Sequence, residues 1–140
     1  MAGSGALATP TRRVESFALI SGALFAGAGV ALGAFGAHGL RNLLDAAALG
    51  WWRTAVDYLM WHAMGLLAVG AAGLPRSAWP ARLLVLGTLI FSGSLLMMAL
   101  SGARWLGMVT PLGGVLMIAG WLSFAWVCAA AAGAARPPSA

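Results

Sequence analysis

Four long apolar stretches, separated by short segments rich in Gly, Pro and Arg, set the pattern of this chain: about Phe17–Ala37, Thr54–Leu74, Ala81–Leu100 and Thr110–Ala131. Each is near the ~20 residues a helix needs to cross a ~30 Å hydrocarbon core. The pattern therefore predicts four membrane-spanning helices. In the first stretch Gly22, Ala26, Gly29, Gly33 and Gly36 step by four, three, four and three, which places all five small residues on one helix face. Such a face lets another backbone approach closely, because packing rather than hydrophobicity drives helix association in lipid. In the second stretch Tyr58, His62, Gly65, Val69 and Ala72 share a face, so His62 is expected to look into the bundle. In the third, Thr88 and Ser92 share a face, as do Ser94, Met98 and Ser101.

The connections carry their own signals. Gly39 suits a residue that ends the first helix. From Leu40 to Trp51 the apolar positions Leu40, Leu43, Leu44, Ala47 and Trp51 form a helical stripe, with Arg41, Asn42 and Asp45 off it. This predicts a short amphipathic helix in the interface, anchored by Trp51 and Trp52; a re-entrant turn is the alternative. Pro75 stops the second span and Pro80 opens the third. Thr110 and Pro111 read as N-cap and first residue of the fourth. The expected organisation is a flexible segment 1–16, a membrane domain 17–132 and a flexible tail 133–140.

Composition agrees with lipid as the main solvent. Apolar residues make up 61% and charged residues 8%, against about 45–50% and about 25% in soluble domains. Arg12 and Arg13 ahead of an apolar run resemble a signal peptide, but the run exceeds the usual hydrophobic region, and a retained span is preferred. The net charge of +5 comes from eight scattered arginines without lysine. They mark topology rather than a nucleic-acid surface. Arg12, Arg13, Arg76, Arg82 and Arg136 fall on the side of the termini, against Arg41, Arg53 and Arg104 with Asp45 and Asp57 on the other. This bias places both termini in the cytoplasm, in a bacterial inner membrane. The single Cys128 has no partner for an internal disulfide.

The chemistry is concentrated between Gly33 and Leu67, which holds both histidines, both aspartates and the only tyrosine. The hairpin of the first two spans should gather His38, His62, Asp57, Tyr58, Arg53, Arg104 and Thr110 into one polar patch at the rim away from the termini. Three readings stay open. The histidines can be structural, His38 facing a helix dipole and His62 bonded to a neighbour. They can bind a metal or haem, although two His alone do not complete a zinc site. His62 and Asp57 can also relay protons or bind a transported solute. No GxSxG or HExxH motif is present, so enzymatic hydrolysis finds little support, and the reading assigns no catalytic residue, metal or cofactor.

GAFGAHGL (Gly33–Leu40), TAVDYLMWHAMGLLAVG (Thr54–Gly70), FSGSLLMMALSG (Phe91–Gly102) and LGMVTPLGGVLMIAGWL (Leu106–Leu122) resemble, in order, the four signature blocks of the DUF423 family. That family, also labelled UPF0382, comprises small bacterial inner-membrane proteins, and a group of mitochondrial membrane proteins is similar. The resemblance spans roughly Phe17–Trp126. It implies a four-helix membrane protein, with His38 and His62 on the two motif histidines, but no activity. Leu59 and Leu96 depart from it, standing where polar or tyrosine side chains are expected. The reading is an all-α four-span bundle acting as a helix-packing or assembly module. Its partners are the bilayer and a second copy or a larger complex.

Overall fold

The computed structural model describes residues 15–134. It contains four helices, α1 (Ser16–His38), α2 (Ala46–Ala72), α3 (Ala78–Ser101) and α4 (Thr110–Ala134), with a 3-10 turn over Arg104–Met108. All four are long and apolar enough to cross a membrane. This is the all-helical, four-span architecture expected from the apolar pattern. The flexible segments expected at 1–16 and 133–140 lie almost entirely outside the described residues.

One expected element is absent. No separate interfacial helix follows α1; residues 39–44 form turns, and one helix runs unbroken from Ala46 to Ala72. The cause is local. The Asp45 carboxylate accepts from the Ala48 N–H at 2.7 Å and so caps a new helix. Nothing between there and Gly73, which takes a left-handed φ of 59°, breaks it. The expected stripe is not the buried face: of its members only Leu40 is buried, Leu43 and Ala47 are exposed, and Ala48 and Trp52, which lie outside it, pack with Leu40 and with Ala99 of α3. Gly39 ends α1 as expected, with a right-handed φ of −82° rather than a left-handed one. A Cβ there would lie 2.7 Å from the Phe35 ring.

α2 and α3 form the centre of the protein, with α1 packed on α2 and α4 packed on α3. In lipid the apolar faces gain nothing by leaving water, so stability depends on how closely the helices approach. Glycine sets that approach. A Cβ on Gly22 would sit 2.9 Å from the Ala63 carbonyl oxygen, and one on Gly29 or Gly36 would collide with Met60 or Trp52. In the α3–α4 pair a Cβ on Gly113 would meet the Phe91 amide nitrogen at 2.5 Å and the Gly87 oxygen at 2.7 Å. Gly33 of the α1 stripe is looser, with only Val56 Cγ1 at 3.6 Å, and Ala26 is half-buried. Ala18, Leu66, Val69, Ala81 and Leu84 then close a core joining α1, α2 and α3.

Candidate functional site

His62 is buried on the inward face of α2, as its position beside Gly65 predicts. Both ring nitrogens are engaged. Nδ1 lies 2.8 Å from the Tyr58 carbonyl oxygen, one turn back on the same helix. Trp121 of α4 donates its indole N–H to Nε2 at 3.3 Å. An indole nitrogen can only donate, so Nε2 must accept, and Nδ1 carries the proton given to Tyr58 O. One tautomer, with the proton on Nδ1, meets both partners. Aromatic neighbours enclose it: Tyr58 is stacked on its near side at 6.0 Å, and Phe91 is stacked on Tyr58 at 4.4 Å. Gly65 provides the space, because a Cβ there would stand 2.5 Å from Trp121 Cη2.

The other polar residues do not converge on this histidine. His38 is the last residue of α1 and is exposed, where a helix C-terminus favours a cation. The cross-helix pairs Gly36–Trp52, Gly29–Met60 and Gly22–Ala63 fix the register of α1 against α2. His62 lies deeper than the Gly29–Met60 level, so about nine or more residues of α1, roughly 13 Å at ~1.5 Å per residue, separate it from the level of His38. The single rim patch expected from the sequence is not formed. The reason is the early start of α2 at Ala46, which pushes His62 into the inner half of the helix.

Thr110 instead joins the two flanks of the α3–α4 hairpin, its hydroxyl 2.8 Å from that of Ser94. Arg53 and Asp57 share the outer side of α2 and are exposed. Together with Gly33, Gly36, Trp52 and Val56 they border a cleft of about 210 Å³ between α1 and α2. By the same register Asp57 lies about six residues, roughly 10 Å, inside the rim marked by the end of α1. Thus one carboxylate stands exposed at the edge of the α1–α2 cleft on a membrane-spanning helix.

Sequence reasoning missed Trp121 and Phe91. Gly65 one turn from His62 signals that something large fills the gap. Which of the seven tryptophans does so depends on how α4 packs, and no spacing within the chain encodes that.

Comparison with known proteins adds the following. The family model described as "Protein of unknown function (DUF423)" matches residues 32–114. A UPF0382 membrane protein of Staphylococcus saprophyticus is 49% identical over 107 residues, covering 74% of this chain and 89% of the relative. A similar protein of Staphylococcus haemolyticus is 46% identical, with 74% and 88% covered. The UPF0382 inner membrane protein YgdD of Escherichia coli is 44% identical over 109 residues, covering 75% of this chain and 80% of YgdD. No solved structure gives a significant match.

Proposed function

The chain belongs to the DUF423 family, and from that premise we propose that this multi-pass membrane protein is a non-enzymatic packing module that assembles with further copies of itself. The observation that carries this reading is Asp57, exposed on α2 at the edge of the α1–α2 cleft. An ionised or neutral carboxyl facing hydrocarbon is costly, and intramembrane charges normally pair or turn inward. The α1 glycine stripe is already consumed against α2, so assembly falls to the outward side of α2 itself. There Gly50, Arg53, Thr54, Asp57 and Trp61 are all exposed. Arg53 and Asp57 stand one turn apart on this surface, so a second copy related by a two-fold axis brings the same pair of opposite charges to it. The arginine bias supports termini in the cytoplasm and an inner-membrane location.

The test is native mass spectrometry after extraction in a mild detergent. A defined oligomer should appear, Asp57→Leu should reduce it, and Gly27→Leu, on an open face of α1, should leave it intact. A strictly monomeric wild-type protein, or an oligomer indifferent to Asp57, would overturn the reading.

The cofactor and conducting readings of His38 and His62 lose support, because both nitrogens of His62 are occupied by protein groups. A Soret band or stoichiometric metal in the purified protein, abolished by His62→Ala, would restore the first. Proton flux in proteoliposomes abolished by the same variant would restore the second.

A further inference from the structure

We propose that the rim carrying the start of α3 and the end of α4 is a binding site for an anionic phospholipid. A cavity of about 690 Å³ opens there, with Arg76, Trp79, Arg82, Leu122, Trp126 and Val127 among its walls. A second cavity, of about 310 Å³, adjoins it across Arg76, Trp126 and Val127. The two guanidinium groups supply the fork geometry that suits phosphate. None of the three acidic residues, Glu15, Asp45 and Asp57, lines either cavity, so the positive charge is not neutralised from within the wall.

Two further features point the same way. Arg76 is the one non-glycine residue with positive φ among the described residues, at 68°. The loop thus holds an arginine where glycine would sit without strain, and such outliers concentrate at binding sites. No side chain caps the amino end of α3, because the Ser77 hydroxyl donates back to Leu74 O at 2.8 Å. The positive end of the α3 dipole is left facing this rim.

The rest of the wall identifies the source of the phosphate. Trp79 and Trp126 are each 62% exposed, and Leu122 is 67% exposed. Tryptophans at the headgroup level and exposed Leu122 further down α4 suit a lipid, whose phosphate meets the arginines while its chains run past Leu122. A free phosphate ion has no use for that apolar contact. Basic pockets between spanning helices bind anionic headgroups by this combination of charge and apolar contact.

The experiment incubates the full-length protein, purified in neutral detergent, with equal amounts of phosphatidylglycerol and phosphatidylcholine and counts retained lipids by native mass spectrometry. An attraction worth about five-fold per arginine gives roughly a twenty-five-fold preference for phosphatidylglycerol. Arg82→Gln should remove about five-fold of it, and Arg76→Gly combined with Arg82→Gln nearly all. Glycine adopts the residue 76 conformation freely, so the fold is expected to survive, with circular dichroism as the check. Arg41→Gln, at the opposite rim, should leave the preference unchanged. Equal retention of both lipids would overturn the proposal, as would a preference that survives the double variant or falls equally with Arg41→Gln. Displacement of phosphatidylglycerol by millimolar inorganic phosphate would overturn the choice of lipid as the ligand.

Discussion

The indole N–H of Trp121 donates to Nε2 of His62 at 3.3 Å, linking α4 to α2. The bond fixes the tautomer of a buried imidazole and joins a flanking helix to the centre of the protein. Trp121→Phe keeps most of the ring volume and removes the donor, so it should destabilise by about 0.5–1.5 kcal/mol. His62→Ala leaves the indole N–H unpaired beside a cavity and should cost more, about 1–3 kcal/mol from the unpaired donor alone. Unfolding midpoints in detergent order the two; equal stability of both variants and wild type would remove the bond from the account.

Gly113 and Gly27 look alike in sequence but differ in surroundings. At Gly113 a Cβ would press on backbone atoms of Phe91 and Gly87, whereas at Gly27 nothing lies within 4 Å. Gly113→Ala should therefore destabilise by about 1–3 kcal/mol, since backbone cannot step aside as a side chain can. Gly27→Ala should be neutral or stabilising by up to ~1 kcal/mol through helix propensity. Paired thermal melts decide it, and a Gly113→Ala protein as stable as wild type would mean the α3–α4 approach is looser than described.

The hydroxyls of Thr88 and Ser92 are buried in α3 without a hydrogen-bond partner. Removing a buried, unsatisfied hydroxyl is favourable, so Ser92→Ala and Thr88→Val should each stabilise, by about 1 kcal/mol. A loss of stability in both variants would show that the hydroxyls are bonded in the folded protein.

Asp45 caps α2 through Ala48 N. Its replacement by Ala should cost about 1 kcal/mol, and Asn should retain most of the effect. Hydrogen exchange at the first turn of α2 gives the local readout, with faster exchange expected in Asp45→Ala alone.

Much of this protein was legible in the chain itself. The apolar runs located the four spans to within a few residues, apart from the amino end of α2. The 3.6-residue period put His62 on the inward face and Gly22, Gly29 and Gly36 on a contact face. These are local properties, since run length is set by bilayer thickness and facing by helix pitch. The start of α2 was misread because the helical period read across Leu40–Trp51 does not show that residues 39–44 turn while those from Ala46 run on into the span. Only the Asp45 cap and the burial of Trp52 against α1 and α3 mark that start. That error carried over to the depth of His62 and hence to its expected meeting with His38.

The sequence by itself thus determined the solvent, the number of helices and which faces turn inward. The tertiary structure decided which side chains meet. Trp121 reaches His62, Asp57 is left exposed at the edge of the α1–α2 cleft, and Arg76, Arg82 and Trp126 share one rim, because the order and register of packed helices depend on close contacts between residues far apart in the chain.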